Sequence, residues 1–180
     1  METSKKTSLA TVWLSGCSGC HMSFLDQDEG LIELAKKVQL IYSPLADIKT
    51  FPDDVDITLI EGAVGNEEQL NLLKQVRMRT KVLVALGDCA VTGNVTALRN
   101  ALNDSAKSVL QKAYVETVNV NPQIPIDVPK LLEQAYPLHE IVKVDYYIPG
   151  CPPPADLINY VLTELLSGRT PSMEGKFKYG

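Results

Sequence analysis

Apolar and polar positions follow two rhythms along this chain. Short, nearly continuous apolar runs recur at residues 9–14 (LATVWL), 38–42 (VQLIY), 55–60 (VDITLI), 81–86 (KVLVAL) and 141–148 (IVKVDYYI). Runs of that length, rich in β-branched side chains and bounded by turn residues, suit strands covered on both faces. Between them lie stretches whose apolar positions fall three and four apart, the spacing of one helix face. Residues 21–37 place Met22, Phe24, Leu25, Leu31, Ile32, Leu34 and Ala35 in this way, with a polar interruption that predicts a helix broken near Gly30. Residues 66–79 open on Asn66 and two glutamates and close on basic residues, as an N-cap and the helix dipole favour. Residues 95–114 are helical in period with an interruption at Asn103-Asp104, residues 129–136 read as a short helix, and residues 155–166 form a last one behind Pro154. Residues 116–129 carry three prolines and little period, which predicts an irregular excursion, and residues 168–180 read as an extended polar tail. Strand-helix alternation of this kind predicts one α/β domain over residues 1–180, an open parallel sheet with helices on both faces.

Composition narrows the function. At 180 residues and 45% hydrophobic the chain can bury a sizeable core. Its 17 basic and 22 acidic residues give a net charge of -5 without a long basic run, so nucleic acid is not an expected partner. The start, METSKKTSLATVWLSGC, lacks a continuous apolar region, a cleavage site and a paired-arginine signal. No apolar stretch approaches the roughly 18 residues of a spanning helix. The expectation is a cytoplasmic chain with no membrane span, in a compartment that disfavours structural disulfides.

Against that background the cysteines stand out. There are four, Cys17, Cys20, Cys89 and Cys151, each in a turn marked by glycine or proline: LSGCSGC, LGDCA and PGCPPP. Three of the expected strands end just before them, and in an open parallel sheet ligands collect outside the carboxyl ends of the strands. The four sulfurs can therefore meet at one edge. A cubane iron-sulfur cluster takes four thiolates and would use every cysteine. Gly16, Gly19, Gly87 and Gly150 would let the backbone pass close to a bulky core and offer N–H groups to its sulfurs, and a helix start at Cys20 would favour thiolate. Two other readings stay open: a structural zinc site, although one C-x-x-C with two distant single cysteines is not its usual spacing, and a C-x-x-C dithiol, which leaves Cys89 and Cys151 without a role.

The motifs CSGC after a short strand, GDCAVTGN in mid-chain and IPGCPPPADLI near the end resemble the proximal-cluster pattern of nickel-iron hydrogenase small subunits. That pattern is shared with the cluster-bearing subunit of respiratory complex I, and the match spans residues 13–166. The resemblance implies a flavodoxin-like fold on which Cys17, Cys20, Cys89 and Cys151 hold one 4Fe-4S cluster. Complex I subunits carry two adjacent cysteines at the first position, whereas Cys17 and Cys20 are spaced, which points to the hydrogenase branch. A departure is Gly93-Asn94, where many relatives have a glycine pair; it leaves the ligands intact. The short one-cluster form is most similar to small subunits of soluble NAD-reducing hydrogenases. By that likeness a large subunit carries the nickel-iron centre, and diaphorase subunits with FMN and further clusters reduce NAD. This chain would then relay electrons between them, with no flavin and no catalytic residue of its own. A quinone-linked complex I type subunit is the alternative role.

Further expectations are attached to single residues. Glu61, after the third strand, resembles a glutamate-glycine step of related subunits and is a candidate for a proton path or an interface, against a solvated turn acid. His21 is a candidate to tune the cluster or relay a proton, against a surface histidine at a helix start. His139 has no motif, and Trp13, Tyr146 and Tyr147 suit packing better than a flavin platform. The large subunit is expected over the cysteine loops, with the tail contributing Phe177 and Tyr179.

Overall fold

The computed structural model describes residues 6–176, so Phe177 and Tyr179 lie outside the described residues. Five parallel strands form the central sheet: β1 (Thr7–Trp13), β2 (Val38–Tyr42), β3 (Val55–Glu61), β5 (Thr80–Leu86) and β7 (Tyr146–Ile148). They lie in the order β2-β1-β3-β5-β7. The chain leaves β1 towards β2 and then crosses back to β3, so the order reverses beside β1. Ranked by their place in the sheet alone, the strands run 2-1-3-4-5, the flavodoxin-like order, and the crevice at the reversal is where such folds bind ligands.

Both faces of the sheet are covered, which is why its strands read as apolar runs. On one face Ala10, Val12, Ile60, Leu83 and Ala85 pack against Leu73 and Val76 of helix α3 (Glu67–Arg79). On the other, Leu9, Leu59, Leu86 and Ile148 meet Phe24 of α1 (Gly19–Leu25) and Leu157, Ile158, Val161 and Leu162 of α6 (Ala155–Leu166). The expected α/β sheet with helices on both faces is the observed one. Asn66 caps α3 as its position predicts, its side chain accepting the Gln69 N–H at 2.8 Å.

Four local expectations are corrected. The helix over residues 21–37 breaks at residues 26–28, not at Gly30: α2 (Glu29–Lys37) already contains Gly30, whose missing side chain makes room for Asn159 on α6. Residues 129–136 are not a helix. They include β6 (Leu131–Tyr136), which pairs antiparallel with a short strand the periodicity did not reveal, β4 (Val64–Asn66). The cause is tertiary: Arg99 donates to the carbonyls of Leu132, Glu133 and Gly65, and Asn100 brackets Ala135 with both its amide atoms. Those side chains sit in the 3-10 turn Asn94–Ala101, followed by α5 (Ser105–Gln111) and a π turn at Lys112–Glu116; the interruption expected at Asn103-Asp104 is there, but the stretch before it is 3-10 and not α. The fifth strand is confined to Tyr146–Ile148, because Leu138–Glu140 turns and Asp145 ties the strand entrance to Leu83 and Arg77.

Candidate functional site

Three segments leave the carboxyl end of the sheet and close on one cavity. The segment after β1 carries Cys17 and then Cys20 in the first turn of α1; Ser18 between them has φ +70°. The segment after β5 turns at Gly87 into α4 (Asp88–Thr92), which holds Cys89. The segment after β7 carries Gly150 and Cys151 into α6. The cavity, about 80 Å³, is lined by all four cysteines together with Glu61, Asp88 and the glycines between them. Cys89 is buried and Cys20 half-buried, whereas Cys17 and Cys151 are exposed at the mouth. The fold thus brings together the four side chains that the strand exits pointed to, from both ends of the chain.

The backbone around the sulfurs is tight where glycine stands. A Cβ on Gly87, which has φ +81°, would lie 2.2 Å from Cys20 Sγ, and one on Gly19 would lie 3.3 Å from Cys17 Sγ. A side chain at either point would occupy the space the sulfurs need. The glycine N–H groups do not all serve as expected, however. Gly87 donates to the Ile148 carbonyl at 2.8 Å, and Gly150 donates to Asp88 Oδ1 at 2.6 Å, so these two are committed to the frame and not to sulfur.

Electrostatics also corrects the expectation for Cys20. A helix does start beside it, but burial and then the Glu61 carboxylate and the neighbouring cysteines push its thiol well above the ordinary range. Burial likewise raises Cys89, followed by Cys151 and Cys17. Free thiolates at Cys20 and Cys89 are thus disfavoured, and a cationic iron or zinc centre would supply the charge that makes them stable. Among the described residues no three His, Cys, Asp or Glu side chains are arranged to hold a single metal ion.

Glu61 and His21 are neither solvated nor superficial. Glu61 is the last residue of β3, 1% exposed, and its Oε2 accepts the His21 backbone N–H at 2.7 Å. His21 is 5% exposed and stacks on Trp13 with centroids 5.8 Å apart. Its Nδ1 lies 2.9 Å from Glu61 Oε2, at ion-pair distance but off the line of a hydrogen bond, which leaves both ring nitrogens without a hydrogen-bond partner among the described residues. The surface-histidine and solvated-acid readings are therefore wrong: the parallel pairing that puts Trp13 beside Glu61 also draws His21 under cover. Tyr146 packs on the core, Tyr147 meets His139 edge-on at 6.3 Å, and Trp13 remains 40% exposed. The residue that sequence reasoning passed over is Asp88, 4% exposed in the cavity wall. Its signal was present, an acid directly before Cys89 in an otherwise apolar strand exit.

Fold and site define an α/β subunit that presents four cysteines at the switch point of a parallel sheet. The model of the NADH ubiquinone oxidoreductase 20 Kd subunit family matches residues 17–165, and the chain belongs to that family. The chain is 43% identical over 170 residues to the delta subunit of the NAD-reducing hydrogenase HoxS of Cupriavidus necator, spanning 91% of this chain and 80% of that one. It is 38% identical to a subunit of the F420-non-reducing hydrogenase vhu of Methanococcus voltae, of which it spans 60%. Among solved structures, a chain of an NAD+-reducing NiFe hydrogenase in the H2-reduced state superposes with a TM-score of 0.92 at 42% identity, over 98% of this chain and all of that one. A NiFeSe hydrogenase from Dm. baculatum, at 15% identity and a TM-score of 0.57, shares the fold. The expected kinship with oxidoreductase subunits of the NAD-reducing hydrogenase kind is borne out. Among the described residues no helix is long and apolar enough to cross a membrane.

Proposed function

We propose that this chain is the electron-relay small subunit of a cytoplasmic NAD-reducing nickel-iron hydrogenase, and that Cys17, Cys20, Cys89 and Cys151 hold one 4Fe-4S cluster. The observation that carries the reading is the convergence of all four cysteines, from three strand exits, on one glycine-lined cavity. When bound, the cluster supplies one-electron redox chemistry. The chain's own residues do the rest. The four thiolates bind, Gly19 and Gly87 leave space beside Cys17 and Cys20, and burial of Cys20 and Cys89 keeps water from the inner half.

The outer half needs a cover. Cys17 and Cys151 are exposed, and Trp13 and Met22 beside the first cysteine segment are 40% and 60% exposed. A nickel-bearing large subunit fits that mouth, since electron transfer needs a short hop and the cluster needs shelter from oxygen. Diaphorase subunits with FMN and further clusters are the proposed electron acceptors. The chain alone should neither activate hydrogen nor reduce NAD.

The test is anaerobic co-purification with its partners. The expected result is a brown complex with a nickel-bearing partner, and about four irons on this chain once it is separated from its partners without oxygen. Zinc in place of iron would sink the cluster assignment, and iron without a nickel partner would move the chain to the complex I type role.

A further inference from the structure

The four cysteines reach the cavity on three separate segments, and something must fix the distance between those segments. Between the segment of Cys89 and that of Cys151 the structure shows a two-way splice. The Asp88 backbone N–H donates to the Gly150 carbonyl at 2.9 Å, while Asp88 Oδ1 accepts the Gly150 N–H at 2.6 Å. One residue thus binds both backbone groups of the residue before Cys151, and it is itself the residue before Cys89. Gly150 can offer those groups because its φ is +137°, and a Cβ there would lie 2.5 Å from Pro153. Asp88 also lines the cavity and is 4% exposed, so the splice is sheltered from competing water.

We infer that Asp88 is a positioning residue for cluster binding, acting through the placement of its Oδ1 acceptor, which locks the Cys89 and Cys151 segments in register. The inference rests on the cluster assignment above. Its physical basis is that a ligand set from separated segments binds tightly only when the segments are preorganised, and hydrogen-bond partners of such ligands are worth about 10–100-fold in metal affinity. The committed Gly150 N–H has a second consequence: the donor is held by Asp88 and is not free to swing towards sulfur.

Two substitutions separate acceptor position from charge. Asp88→Asn keeps an oxygen where Oδ1 stands and removes the negative charge. Asp88→Glu keeps the charge and displaces the acceptor by one methylene. Each is purified anaerobically within the complex, checked for fold by far-UV circular dichroism, and scored for iron lost relative to the wild-type complex under a graded chelator challenge and for its cluster electron-spin signal. The expected outcome is near wild-type retention for Asp88→Asn and a loss of about tenfold in iron affinity for Asp88→Glu. Equal retention by both variants, equal loss by both, or loss in Asp88→Asn alone would overturn the inference. Should Asp88→Glu not fold, iron loss in folded Asp88→Asn still overturns it, and retention there with an unchanged spin signal upholds it. A wild-type complex that lacks this chain's cluster electron-spin signal would instead refute the cluster assignment.

Discussion

The two ends of the sheet are built on opposite electrostatic terms. At the amino end Lys81 pairs with Asp56 at 2.9 Å and Asp54 at 3.2 Å, with all three side chains substantially open to water. At the carboxyl end Glu61 and Asp88 are almost wholly buried, and backbone N–H groups of His21 and Gly150 answer them. Two buried carboxylates beside buried Cys89 and half-buried Cys20 form an expensive assembly. At the amino end the described charges pair with one another, whereas at the carboxyl end the thiols of Cys20 and Cys89 are raised and the His21 ring nitrogens find no hydrogen-bond partner among the described residues. A folded chain tolerates that imbalance where a bound group or a partner completes it. The difference marks one end as architecture and the other as function without reference to any relative.

The strongest way to break this contrast is at the cysteines. Single replacement of Cys17, Cys20, Cys89 or Cys151 by serine should abolish stable cluster binding in each case, read as iron per chain and visible absorbance. Serine is nearly isosteric, so the far-UV spectrum should hardly change. A variant with full iron content would remove that residue from the ligand set. Lys81→Ala at the other end should leave iron content untouched.

Glu61 comes next in size. Glu61→Ala should lower stability by about 1–3 kcal/mol, because it strands the buried His21 N–H and opens a void beside Gly16. Glu61→Gln keeps an acceptor for that N–H and should cost clearly less. Denaturant midpoints of the two variants measure the difference. Equal loss would show that the charge, not the hydrogen bond, holds the segment after β1.

How far the sequence carried this picture follows from the range of the forces involved. The strands β1, β3 and β5 were legible because they are buried on both faces and so read as apolar runs, the edge strands β2 and β7 because their apolar residues follow turn signals although one face is partly open, and α3 because Asn66 caps it locally. The cysteine set was legible because strand exits are local features while the sheet order supplies the convergence. The β4–β6 pair was not, since its partners lie far apart in the chain and its register is held by Arg99 and Asn100 from a third segment. The same holds for His21. Nothing in CSGCHMS announces burial, which comes from Trp13 stacking on the ring and from Glu61 reaching across from β3. The Asp88 splice is the clearest case: both halves stood in recognised turns, but only the fold shows that they touch.

The smallest expected effect lies at the amino end, and pH sharpens it. The hydrogen bond from Lys81, those from the Ser8 backbone and hydroxyl, and the Lys81 charge hold Asp56 down, from 3.8 to about 2, against its partial burial. A carboxyl whose folded pKa is depressed adds stability above its unfolded value and loses it as pH falls through the folded one. The contribution should therefore be complete above about pH 5, small at about pH 2 and gone near about pH 1. Wild type and Asp56→Asn should differ modestly in thermal midpoint at pH 5, and the difference should shrink steadily towards pH 2. Added salt should also narrow the gap at pH 5, because Lys81 is open to solvent and its pairing is screened. A difference that stayed constant from pH 5 to 2 would mean that Asp56 acts only as a neutral hydrogen-bond acceptor for Ser8. The amino end would then be no more electrostatic in origin than the rest of the core, and the contrast between the two ends would rest on the carboxyl end alone.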